Sequence, residues 1–105
     1  MFKMESFKKI AEHTMNHIFD FVEKNYDSFD VDFEEENLKI QFDENIFILS
    51  IHNPSSQIWL SSPISGAHHF RLITKDDFKS WTSTRDKKIK LFDILECELK
   101  EIDEK

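Results

Sequence analysis

Apolar residues at Phe7, Ile10, Ala11, Ile18, Phe21 and Val22 recur every three to four positions, with Thr14 on the same stripe. That spacing predicts an amphipathic helix from about Ser6 to Asn25, with Ser6 as its N-cap. Glu12, His13, Asn16, Asp20 and Glu23 fall on the wetter side. Histidines 13 and 17 lie one turn apart, and the stripe places only His13 near that wet side.

Past Asn25 the period drops to two. In "DVDFE", Val31 and Phe33 share one face, and Asp30, Asp32 and Glu34 share the other. In "LKIQF", Leu38, Ile40 and Phe42 oppose Lys39 and Gln41. Both read as half-buried strands. "EEN" and "DEN" are the polar turns around them, and "IFILSI", apolar on both faces, predicts a central strand. "NPSS" turns the chain into "QIWLS", and "SPISG" turns it again into "AHHFRL". Alternation puts Ile58 and Leu60 inward, with Gln57, Trp59 and Ser61 outward; next to them, His68, Phe70 and Leu72 oppose His69 and Arg71. Residues 73–88 are polar and irregular, with Phe78 and Trp81 as anchors and room for one more short strand near Trp81. Leu91, Ile94, Leu95, Leu99 and Ile102 then mark a second helix, with Glu98 at the edge of its apolar stripe.

Helix, five or six strands, helix: a sheet apolar on one face needs a cover, and two amphipathic helices supply it. The expected fold is an α+β two-layer sandwich, α-β(5-6)-α. Its antiparallel sheet is covered on one face by both helices and open to solvent on the other, and residues 1–105 form a single domain. The open face carries Asp30, Asp32, Lys39, Gln41, Gln57, Trp59 and His69.

Charge sharpens this picture. The net charge of -7 is concentrated in residues 20–44, where ten acids face only Lys24 and Lys39. A lobe of that sign argues against phosphate-backbone binding and suits a cation or a basic protein surface. Asp20, Glu23 and Asp27 share one edge of the first helix, and Asp30 and Asp32 share the outward face of the next strand. Together they predict one ridge of hard oxygen ligands, attractive to iron, manganese, calcium or magnesium, without the fixed spacing of a closed site. His13 is a further ligand at most. The single cysteine, Cys97, sits between Glu96 and Glu98, acidic neighbours that disfavour a thiolate. No serine nucleophile elbow, glycine-rich phosphate loop or zinc-type Cys/His spacing occurs. One cysteine excludes an internal disulfide and fits a reducing compartment. The opening residues read as neither a signal nor a transit peptide, and no stretch reaches the roughly 20 apolar residues of a membrane helix. These features point to a soluble cytoplasmic protein.

Trp59 has two readings at this level. An exposed indole between Gln57 and Ser61 is an interface anchor; a bulge that shifts strand parity would instead place it in the core.

"QIWLSSPISGAHHF", with the acidic helix end, "DVDFE" and "LFDILECEL" in the same order, resembles the frataxin family, and within it the bacterial CyaY-type members. The resemblance runs over essentially the whole chain. It implies a frataxin-like fold that binds iron (Fe²⁺ or Fe³⁺) weakly at the surface, and contact with the cysteine desulfurase and the scaffold protein of iron–sulfur cluster assembly. Iron-binding positions carry over to Asp20, Glu23, Asp27, Asp30, Asp32 and Glu34. Partner-binding positions carry over to Gln57, Trp59, Ser61 and His69. Phe19 and Lys24 stand where related sequences often carry acids, His69 stands where eukaryotic relatives tend to carry a basic residue that contacts the scaffold, and Ser50 replaces a polar amide of the same face. With no transit peptide expected, the resemblance implies a protein of the bacterial cytoplasm ahead of a matured mitochondrial chain. The expected function is a non-enzymatic, iron-binding regulator of cluster assembly, monomeric, with iron-dependent oligomers as a further state. The alternatives are a ferroxidase or iron-storage enzyme that uses the same acids, and an acidic adaptor whose metal binding is incidental.

Overall fold

The computed structural model describes residues 6–75 and 78–104. The first helix, α1, runs Phe7–Asn25, and the hydroxyl of Ser6 caps it by accepting the Lys9 amide at 3.3 Å. Six strands follow: β1 (Asp30–Glu34), β2 (Asn37–Phe42), β3 (Asn45–His52), β4 (Gln57–Ser62), β5 (Gly66–Lys75) and β6 (Phe78–Ser83). The second helix, α2, spans Leu91–Asp103. The strands form one antiparallel sheet in chain order, β1 to β6. α1 lies against β1 and β3, and α2 against β6.

The expected two-layer sandwich is the observed one. The strand anticipated near Trp81 is β6, so the sheet has six members rather than five. Trp81 is 4% exposed, packs edge-on against Phe7, and donates its indole N–H to the Thr14 hydroxyl at 2.9 Å. That bond satisfies the buried indole and joins the helix to the far edge of the sheet, while the Thr14 hydroxyl donates in turn to the Ile10 carbonyl at 3.1 Å. The side chain of Phe78, the other expected anchor, lies outside the described residues.

Strand parity holds across the sheet. Leu38, Ile40, Phe47, Leu49, Ile51, Ile58, Leu60 and Phe70 point under the helices and join Ala11, Met15, Ile18, Val22, Leu91, Leu95, Leu99 and Ile102 in one apolar cluster. β3 is a central strand, yet only its inner face is covered: Ile46 and Ile48 remain 36% and 41% exposed on the open side. The apolar run signals a central position here, not double burial.

Turn geometry is unusual for a chain with one glycine. Glu35, Asp43 and Ser56 each take a left-handed backbone conformation, with φ of 57°, 53° and 53°, to close the β1–β2, β2–β3 and β3–β4 connections. Gly66, at φ 86°, pairs with Ser62 to close the β4–β5 turn. A Cβ there would meet no atom within 4 Å, so the constraint is the backbone angle rather than space.

Candidate functional site

Two surfaces emerge from this frame. The first is an acidic groove where the end of α1 meets β1. It has a volume of about 720 Å³ and is lined by Asp20, Glu23, Lys24, Tyr26, Asp27, Phe29, Asp30 and Val31. Helical spacing brings Asp20, Glu23 and Asp27 to one edge, and Asp30 opens the strand that follows. The floor is aromatic: Tyr26 and Phe29 pack ring to ring at 5.7 Å, flanked by Phe21 and Phe42. Four of the six expected iron-binding residues therefore share one groove. Asp32 and Glu34 lie farther along β1, exposed on the open sheet face, with Lys39 opposite Asp32 in register. The two bases of the acidic segment thus both sit beside its carboxylates.

Two contributions to this corner carry no signal in the order of residues. Tyr26, which caps the C-terminus of α1, stands on the groove floor. Burial pushes its phenol above its ordinary pKa, and the negative charges of Glu96, Asp103 and Glu104 add to the shift. The field at this end of the molecule is therefore supplied partly by α2, whose acids are remote in sequence. Among the described residues, no three His, Cys, Asp or Glu side chains converge closely enough to hold a metal ion. The carboxylates offer the hard oxygen donors that iron accepts, but as a dispersed set on an open rim, not as a closed coordination shell.

The second surface is the open face of the sheet. Trp59 is half-buried there, so its parity is that of an outward residue and the bulge alternative does not apply. Its indole lies between two imidazoles. His52 stacks at 3.9 Å with planes 16° apart, and His69 stacks at 4.3 Å with planes 10° apart. The indole N–H donates to the side-chain carbonyl of Gln57 at 2.9 Å. His52 is itself held by a 2.6 Å hydrogen bond with the Ser55 hydroxyl in the β3–β4 turn. Ser61 is exposed on the same face, between Ile48 and Ala67 in register. All four expected partner-binding residues therefore share a surface. His52 was missed, although β3 alternation puts it outward; its contact with Trp59 depends on the register set by the following turn.

His17 differs from expectation. Both His13 and His17 are exposed on α1, because the buried stripe is centred on Ala11, Met15, Ile18 and Val22 and leaves both histidines off it, with His17 at the rim beside Phe92 of α2.

No helix among the described residues is long and apolar enough to cross a membrane. A family model described as a frataxin-like domain matches residues 1–105. The mitochondrial frataxin of Arabidopsis thaliana is 33% identical over 104 residues; the match covers 93% of this chain and 54% of that protein, so the chain spans about half the length of this relative. Among solved structures, trimeric frataxin of the yeast Saccharomyces cerevisiae, complexed with ferrous iron, superposes with a TM-score of 0.72 at 24% identity, covering 100% of this chain and 92% of that one. Frataxin from Psychromonas ingrahamii, of the CyaY protein family, superposes at 0.79 with 18% identity, covering 94% and 90%. With its model matched from end to end and its six-stranded sheet and two helices shared with solved members, this chain belongs to the frataxin family.

Proposed function

We propose that this protein binds iron weakly in the acidic groove and regulates iron–sulfur cluster assembly by presenting its open sheet face to the cysteine desulfurase and scaffold protein. The observation that carries this reading is the placement of Asp20, Glu23, Asp27 and Asp30 around a single open groove at one edge of a sheet whose free face displays Trp59. Asp32 and Glu34 extend the carboxylates toward that face. Gln57, Trp59, Ser61 and His69 form the contact surface, where an indole brings large area at low entropy cost. Iron is cargo in this scheme. The rim carboxylates would hold it with water completing its shell, which accounts for weak and poorly selective binding. The ferrous complex of the yeast relative supports the metal. A chain with a single cysteine suits a reducing compartment. The named Arabidopsis relative is mitochondrial, and we place this chain in a compartment of that redox character, bacterial cytoplasm or mitochondrial matrix.

Anaerobic titration with Fe²⁺, followed by backbone amide shifts, tests the groove. Perturbation centred on Asp20, Glu23, Asp27 and Asp30 is the expected result. Shifts centred on His52, His68 and His69 would overturn it. A desulfurase assay with and without the protein then reads the regulatory step.

A second reading, iron storage with ferroxidase activity in an oligomer, is favoured by the trimeric state of the yeast relative. Oxygen consumption on adding Fe²⁺, together with growth of particle size, would select it over regulation by a monomer.

A further inference from the structure

Of the five histidines, three have an occupation in the fold. His52 bonds Ser55 and stacks on Trp59, His68 bonds Ser65 at 2.7 Å, and His69 stacks on the other face of Trp59. His13 and His17 have none of this kind. Both are exposed on α1, and neither ring nitrogen makes a hydrogen bond to a protein group among the described residues. They line one shallow groove of about 240 Å³ together with Ile10, Thr14, Lys79 and Phe92.

Their spacing has a chemical consequence. Residues four apart on a helix project from the same face, with Cβ atoms about 5–6 Å apart. Two imidazoles so placed can close on one ion at metal–nitrogen distances of about 2.0–2.1 Å. The His17 ring already rests edge-on against Phe92, at 5.6 Å and 73°. That contact narrows its rotamer freedom, so less entropy is lost when a metal fixes it.

We propose that His13 and His17 form a bidentate site for a borderline divalent transition metal of the Cu²⁺, Ni²⁺ or Zn²⁺ class, open to solvent and separate from the acidic groove. Imidazole favours these ions, and affinity for nitrogen sites rises from Fe²⁺ toward Cu²⁺; carboxylates favour the harder ions. The molecule therefore sorts metals by ligand chemistry, with oxygen donors at the α1–β1 corner and nitrogen donors on the exposed side of α1. Water fills the remaining positions, in line with the lack of any three-ligand cluster among the described residues. Glu96 lines the neighbouring groove on the far side of His17 and contributes negative charge. Lys79 works against the ion from the other side, on an exposed and flexible stem. The site does not depend on the function proposed above.

Titration of the whole chain with Cu²⁺ alone, read by calorimetry and by nitrogen hyperfine structure in electron paramagnetic resonance, tests it. Two imidazole nitrogens on the tightest-bound copper are expected. His13→Ala or His17→Ala should each weaken that site on the order of a hundredfold, as a chelate becomes a single ligand. Lys79→Gln should tighten it, and Asp27→Asn and His52→Ala should leave it unchanged. Both histidines are exposed, so the variants should stay folded, with His17→Ala losing only its edge contact with Phe92. A two-nitrogen spectrum that survives in the His13→Ala/His17→Ala double variant, or an equal loss in Asp27→Asn, would overturn the proposal.

Discussion

The hydroxyl of Ser62 donates to the carboxylate of Glu98 at 2.6 Å, with both residues buried. The same hydroxyl oxygen accepts the amides of Ile64 at 3.0 Å and Ser65 at 3.1 Å, so one side chain ties α2 to β4 and also shapes the turn that Gly66 closes. Glu98, out of place on an apolar stripe, is there because Ser62 meets it. Ser62→Ala strands a buried carboxylate and frees two turn amides. It should cost about 2–3 kcal/mol, read as a fall in melting temperature of roughly 4–8 °C per kcal/mol for a domain of this size. Glu98→Gln keeps an acceptor and should cost less, and Ser61→Ala, on the exposed side, should be nearly neutral. A Ser62→Ala variant that melts with the parent would show that the bond adds nothing.

Trp59 and Leu60 are adjacent and face opposite ways. Trp59→Ala removes two stacked partners, each worth about 0.5–1.5 kcal/mol, so stability should fall by about 1–3 kcal/mol and the chain should stay folded. On the function proposed above, binding to the desulfurase or scaffold protein should fall by about 2 kcal/mol or more. Leu60, 2% exposed, should cost about 2–5 kcal/mol on truncation to Ala, with binding preserved in the folded fraction. Denaturant melts and affinity measurements on the pair separate packing from recognition.

The acidic groove gathers like charges that the unfolded chain keeps apart. Added salt limits their repulsion to a Debye length of about 8 Å near physiological ionic strength, and a bound divalent ion stabilises the native state by mass action. The melting temperature should therefore rise with salt and rise further with Mg²⁺ or Ca²⁺. Asp27→Asn should raise it in low salt and blunt both responses. A melting temperature indifferent to salt and to divalent ions would contradict this.

Tyr26 is the only tyrosine, so its ionisation is read without interference. Burial, with Glu96, Asp103 and Glu104 behind it, disfavours the phenolate. The folded chain then holds the phenol proton to higher pH than the unfolded chain does. This contribution to stability is full below the ordinary phenol value of about 10 and is lost as pH rises through the raised folded value. Alkaline titration by phenolate absorbance should give a higher midpoint in the native protein than in denaturant. Glu96→Gln should lower the native midpoint by removing one of the opposing charges, whereas equal midpoints in native and denatured chains would refute it.

Much of this molecule is local, and the local part was legible. Period 3.6 in α1 and α2 and period 2 in the strands follow from which residues must leave water, and that depends on near neighbours in the chain. The same parity put Gln57, Trp59, Ser61 and His69 outward, and the crowding of acids between Asp20 and Glu34 was plain in the order of residues. Register and helix azimuth decided the rest. The β3–β4 turn at Asn53–Ser55 brings His52 over Trp59, a contact between residues on different strands that no periodicity encodes. Ser62 and Glu98 are 36 positions apart, and Thr14 and Trp81 are 67 apart. Each pair gives a buried polar group, the Glu98 carboxylate or the Trp81 indole N–H, a partner that its own element does not supply, because burial penalises the unpaired group. His17 reached water for a similar reason: the sheet chose which stripe of α1 to bury. Amphipathic spacing thus determined which elements form and which faces seek cover, and the packing of helices on sheet decided which polar side chains meet.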